Sequence, residues 1–215
     1  ANNNTYNEDI RVIESAVDFA TAATGETENA KDFMINLAGV ETKYGINKPI
    51  LNDEGLPTTF SAFNISPTSY YSMIEDSKIP EIEGKISNIN NAFKNYGYGE
   101  DFDIRNVASV AYDETSASYK YSDIDKNYIN DPYVGTTIAK HILDTADNPI
   151  PKELEDQGTY WAENWTPGGN VADFVNTFAE HRAKTDVEDN IMDMFRDDDD
   201  GPFTIQAGDL TWAID

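Results

Sequence analysis

Apolar residues recur at spacings of three and four along most of the chain, the signature of amphipathic helices. Ile10, Ile13, Val17 and Ala20 mark a first helix, which Gly25 ends. Phe33, Leu37, Val40 and Tyr44 mark a second, and Gly45 stands where a C-terminal cap is expected. Residues 46–65 lose the period and hold Pro49, Gly55 and Pro57, which predicts a loop with a short hairpin. Ser66-Pro67 reads as an N-cap followed by proline in the first turn, with Tyr70 and Ile74 on the inner face of the helix that follows. Ile82, Ile86, Ile89 and Phe93 form the clearest stripe, closed by Gly97. Residues 97–130 are aromatic, acidic and irregular, and within them the weak alternation Ser118-Tyr119-Lys120-Tyr121-Ser122 fits a strand. Further helices are expected over 132–144, 151–164 and 170–184, with a short one near 187–195.

These elements predict a mostly α (α-rich α+β) fold. Residues 1–196 form one domain, and an acidic segment with a C-terminal tail occupies 197–215. Gly201-Pro202 is expected to detach the last residues from the core. The formal net charge is -25, from 40 acidic and 15 basic residues. A surface of that sign repels nucleic acid and anionic membranes, and serves solubility. No apolar run approaches the length of a membrane span, so no membrane insertion is expected. Residues 1–7 lack the basic and apolar regions of a signal peptide. The chain has no cysteine, which excludes disulfides, thiolate catalysis and Cys-based zinc sites. His141 and His181 have no ligand spacing and are assigned exposed or core-edge positions. Residues 197–200 with Gly201 lack the alternating ligands of a calcium loop, so no metal and no cofactor is expected.

The most informative residue is Glu41. On a helical wheel it lies at the edge of the stripe made by Phe33, Leu37, Val40 and Tyr44. Its neighbours at helical spacing are Met34, Leu37, Ala38 and Tyr44, all apolar or aromatic. A carboxyl in that setting is partly desolvated, which favours its protonated form and suits a general acid. Helix geometry alone better fits a glutamate snorkelling from the boundary of a buried face.

The segment LAGVETKYG (37–45), followed by FSAFNISP (60–67), resembles the active-site signature of lysozyme-like lytic transglycosylases and goose-type lysozymes. Glu41 and Thr42 match its Glu-Ser/Thr pair, and Tyr44 and Gly45 the positions after it. Ser61, Ala62, Phe63, Asn64 and Ile65 match the second run, with Asn64 where the family usually has Gln. DPYVGTTIAKHIL (131–143) is similar to a later helix of the family. The stretch 150–175 resembles a segment of wall-degrading phage tail and virion proteins, keeping Gln157, Tyr160, Trp161, Gly168, Gly169 and Phe174. It departs at Trp165-Thr166, where Tyr-Asn is usual.

The resemblance implies a lysozyme-like helical domain with a loop or hairpin beside a cleft, and Glu41 as the catalytic acid. It implies bacterial peptidoglycan as the partner, with Thr42, Ser61, Phe63, Asn64, Tyr160 and Trp165 as substrate-binding candidates. Tyr70 and Trp161 are further aromatic candidates, though core packing is the better reading of Phe63 and Trp161. The location implied is a phage virion or tail, or the extracellular or periplasmic face of the cell wall, with other virion proteins as partners. A lytic transglycosylase needs only Glu41; an inverting lysozyme would need a second carboxylate, for which Asp53 and Glu54 are available. The departures at Asn64 and Trp165-Thr166 fit a different class: a non-catalytic structural or glycan-binding virion protein that keeps the fold.

Overall fold

The structure, a computed structural model, describes residues 3–194, with side chains over 9–183. The acidic run 197–200 and the tail 201–215 lie outside the described residues. Seven helices and one two-stranded sheet make the described chain mostly α with some β, as the apolar spacing predicts. In order they are α1 (Asn3–Thr24), α2 (Ala30–Thr42), α3 (Pro67–Asp76), α4 (Pro80–Asn95), β1 (Ala108–Asp113), β2 (Ser118–Ile124), α5 (Pro132–Asp144), α6 (Leu154–Asn164) and α7 (Val171–Met194). Packing divides the chain into two units, Ala1–Thr177 and Phe178–Asp215, so the boundary falls within α7. In the second unit the Arg182 guanidinium lies 5.4 Å from the Phe178 ring centroid, a cation–π contact.

Helix α1 buries Ile10, Ile13, Val17 and Ala20, and packs chiefly on α5. Helix α2 departs from a one-sided stripe. Every residue from Phe33 to Gly39 is buried, Asn36 included, so this stretch of α2 is covered on all sides. Helix α3 begins as expected: Ser66 Oγ accepts from Ser69 N (3.1 Å) and Pro67 follows it. The residues expected to form the inner face of α4 divide: Ile86, Ile89 and Phe93 are buried, and Ile82 is only partly so.

The hairpin β1–β2 goes beyond the single strand expected near Ser118. Its strands pair antiparallel from Ala108↔Ile124 to Asp113↔Ser118, with a bulge at Ser122, opposite Ser109 and Val110. Two tyrosines join it to the rest. Tyr70 Oη donates to Ile104 O (2.9 Å) and accepts from Ala108 N, and Tyr121 Oη donates to Ile65 O (2.8 Å). Burial pushes both phenols well above their ordinary ionisation, so both remain donors.

Helix α5 opens on Asp131, whose Oδ1 accepts from Tyr133 N and Val134 N, and whose Oδ2 accepts from Tyr98 Oη (2.7 Å). One face carries Lys140, 0% exposed, whose Nζ donates to Thr24 Oγ1 (2.8 Å), Gly25 O (2.7 Å), Thr27 Oγ1 (3.0 Å) and Asp144 Oδ2 (2.8 Å). Thr27 in turn donates to Asp144 Oδ1 (2.6 Å), so one ammonium ties the α1–α2 turn to α5. Two helix boundaries also differ from expectation. Helix α6 starts at Leu154 rather than 151, because Gln157 Nε2 donates to Pro151 O (2.9 Å) and holds 151–153 as a turn. Helix α7 runs unbroken to Met194 in place of two helices, since no glycine or proline interrupts 171–194.

His141 is buried in α5 rather than exposed or at the core edge. Burial lowers its pKa from the ordinary 6.5 to about 4. The unfolded chain therefore takes up a proton as pH falls through 6.5, and the folded protein does so only near 4. The stability contributed by the neutral imidazole is complete above that window and declines through it as pH falls, by at most about 3 kcal/mol. Denaturant titrations of the wild type and His141→Gln at several pH values are expected to converge or cross over this range, the wild type falling faster. Parallel pH profiles would refute this origin of the acid sensitivity.

Candidate active site

Helix α2 ends in a backbone reversal. Thr42 Oγ1 donates to Ala62 O (2.7 Å) and accepts from Gly45 N (2.8 Å). Lys43, Tyr44 and Gly45 follow with φ of 50°, 59° and 87°, so the cap is Lys43 and not Gly45. Lys43 N and Tyr44 N return to Gly39 O and Ala38 O, which satisfies the last carbonyls of α2. The reversal leaves Glu41 in the final turn, half-buried, facing residues far away in sequence.

The first of these is the loop from Thr59 to Ile65. Phe60 and Ile65 pair across it in an antiparallel bridge, and between them Ser61 (φ 68°) and Asn64 (φ 50°) take left-handed backbone. Asparagine tolerates that conformation better than most residues. Asn64 Nδ2 donates to Glu41 Oε2 (2.9 Å) and to Glu41 O (3.2 Å), while its Oδ1 accepts from Thr59 Oγ1 (3.0 Å). The second is α6 and the turn after it. Trp161 Nε1 donates to Glu41 Oε1 (2.7 Å), and Thr166 Oγ1 donates to the same oxygen. Trp165 Nε1 donates to Phe63 O (2.8 Å) and so ties the α6 end to the loop. Glu41 thus accepts from three side chains, one on Oε2 and two on Oε1. No lysine or arginine pairs with it among the described residues.

The predicted site residues divide by role. Asn64 reaches Glu41 despite its short side chain, and its amide is turned to that carboxylate rather than outward. Thr42 is buried, and its hydroxyl holds the loop. Phe63 is fully buried, which fits core packing and leaves no ring face for a sugar. Tyr160 does not meet Glu41: its Oη donates to Asn148 O (3.2 Å) and its ring sits edge-on to Phe33. Tyr70 is likewise interior, engaged with the β hairpin. Trp165 remains partly buried beside Phe63. Ser61 Oγ accepts from Phe63 N (3.1 Å) and its Cβ lies against Gly135. Of the candidate second carboxylates, Glu54 forms an exposed ion pair with Lys120 (3.0 Å), and Asp53 is exposed; neither hydrogen-bonds to Glu41. Thr166 was not legible as a site residue, because threonine stands where the resembling proteins have asparagine. Trp161 is both core, tilted on Phe174, and the donor to Glu41.

Two glycines allow this approach. A Cβ on Gly169 would lie 2.7 Å from the Trp161 ring. A Cβ on Gly135 would lie 2.3 Å from Ser61 Cβ, so α5 meets the loop at its one side-chain-free position there. Gly135→Ala is expected to cost about 2 kcal/mol by overpacking, and to shift the amide resonances of residues 59–65. A thermal midpoint equal to that of the wild type would show that the loop yields freely.

A cavity of about 280 Å³ adjoins the same loop, between Tyr44-Gly45, residues 60–63, α1 and the start of α5; Glu41 is not part of its wall. Chemically, Oε2 accepts from a single side chain and retains a lone pair for a proton or a ligand, whereas Oε1 is held by two donors. Comparison with known proteins found no matching family model, no matching curated protein and no matching solved structure.

Proposed function

We propose that this chain cleaves the β-1,4 glycan strand of bacterial peptidoglycan, with Glu41 as general acid, in a lysozyme-like domain. One observation carries the reading. Three stretches that resemble parts of wall-degrading enzymes, 37–45, 60–67 and 150–175, converge on a single carboxylate through Asn64, Trp161 and Thr166. The convergence is independent of the sequence likeness, since nothing in the spacing of the motifs forces their side chains together.

In the lytic-transglycosylase version, Glu41 gives its proton to the glycosidic oxygen as the bond to the anomeric carbon breaks. The resulting carboxylate then takes the proton of the sugar's own 6-hydroxyl, whose oxygen closes onto the anomeric carbon. The products are a 1,6-anhydro end and a free hydroxyl, and the glutamate is regenerated. This version is favoured over an inverting lysozyme because it needs only Glu41, whereas the inverting reaction needs a second carboxylate to activate water, and Glu54 is paired with Lys120. A virion or tail, or the bacterial cell wall, is the setting we propose for it.

The test is the turbidity of purified peptidoglycan incubated with the full chain across pH and salt, followed by mass spectrometry of the products. Clearing with anhydro ends is the expected result. Reducing ends would point to a hydrolase. A second reading has an observation of its own: both oxygens of Glu41 are engaged by side-chain donors, and Glu41 does not wall the cavity beside the loop, which suits a structural or glycan-binding virion protein. Absence of clearing under every condition would favour it.

A further inference from the structure

The cavity beside Tyr44 has chemistry that the Glu41 site does not use. Its floor is apolar, with Ile13, Phe60 and Phe63 all buried. Its rim is polar and exposed, with Asn47, Lys48 and Asn130. In its wall is Thr136, 1% exposed, whose Oγ1 has no hydrogen-bond partner. A buried hydroxyl left unpaired is costly, and a ligand group that bonds it removes the cost.

The occupant these groups suit is uncharged. Asp131 also lines the cavity, but both its oxygens are already engaged, by Tyr133 N, Val134 N and Tyr98 Oη. Asp9 and Lys48 add one charge of each sign to the lining, so the cavity is biased toward neither an anion nor a cation. A volume of about 280 Å³ holds one ring and not a chain. An apolar floor under amide-bearing rims fits a molecule with one C–H face and peripheral hydroxyls.

We propose that this cavity binds a single neutral sugar ring carrying an acetamido group. Thr136 Oγ1 donates to the acetamido carbonyl, its methyl rests on Val12 and Ile129, which are the accessible apolar residues of the wall, and ring hydroxyls meet Asn47 and Asn130. The ligand class rests on the glycan reading above; the location rests on the cavity and on Thr136 alone. Glu41 is outside the cavity wall, so the site anchors a strand and performs no bond cleavage.

The experiment is a titration of the full chain with N-acetylglucosamine, followed by amide and side-chain NMR, with glucose and glycerol as controls. N-acetylglucosamine is expected to shift the resonances of residues 60–63, 129–132 and Thr136, and glucose to do so about tenfold more weakly, the worth of one good hydrogen bond. Thr136→Val is expected to weaken binding about tenfold, and Thr136→Ser to retain it. Thr137 has the same buried, unpartnered hydroxyl but is not in the cavity wall, so Thr137→Val is expected to bind as the wild type does. No shifts, equal shifts with glycerol, shifts confined to the surroundings of Glu41, or undiminished binding by Thr136→Val would each overturn the assignment. Binding without clearing of peptidoglycan would sink the proposed reaction and keep this site. Clearing without these shifts would do the reverse.

Discussion

Exchange of Glu41 for glutamine is expected to lower peptidoglycan cleavage by about 10³-fold, the scale of losing a general acid, and to leave the protein folded. Glutamine has the same shape. Its carbonyl oxygen can keep the bonds from Trp161 Nε1 and Thr166 Oγ1. The new amide would face Asn64 Nδ2 donor to donor, and Asn64 can relieve that by turning over, since Thr59 Oγ1 can accept as well as donate. Turning over sacrifices the bond to Glu41 O, so the expected stability loss is about 1–2 kcal/mol. Activity and stability are therefore read separately, by turbidity with product analysis and by denaturant unfolding. Cleavage by the glutamine variant at the wild-type rate would remove Glu41 from the chemistry.

The largest effect on stability is expected at Lys140. Lys140→Met keeps the stem of the side chain and deletes an ammonium that is fully buried and makes four hydrogen bonds. Asp144 then keeps Thr27 but loses its counter-charge, and Gly25 O loses its donor. Removing one partner of a buried pair costs about 3–5 kcal/mol, a large share of the total stability of a domain. A fall of about 10 °C in melting temperature follows from the usual scale for a chain of this size. The double variant Lys140→Met with Asp144→Leu is expected to recover part of the loss, because it leaves no buried charge unpaired. A guanidinium midpoint within error of the wild type would show that the α1–α2 turn does not depend on this strap.

The helical frame was legible because its period survives in the sequence. Helix α5 falls where its proline, its apolar spacing and Asp131 place it, and α3 starts on its Ser-Pro cap. The strand β1 was not legible. The bulge falls on its partner, at Ser122 of β2, and only Ala108 of its own residues is buried, so no alternation marks an inner face. Glu41 stood out by its apolar neighbours, yet the groups that meet it come from 23 to 125 residues away, a distance no local pattern spans. Trp161 was recognised as an interior ring and proved also to be a donor, which no spacing announces. Asn64 is one methylene shorter than the glutamine usual at its place in the resembling motif. The left-handed backbone at that position both admits asparagine and brings its amide within 2.9 Å of the carboxylate.

The indole of Trp161 has a further use. Its emission depends on what its N–H faces, and here it faces the carboxylate itself. The chain has three tryptophans, and Trp161 and Trp165 both stand at this junction. Intrinsic fluorescence thus watches Glu41 without a label. Any compound that draws the carboxylate off the indole should change the spectrum within the mixing time of a stopped-flow instrument, and a Trp161→Phe protein should be blind to it.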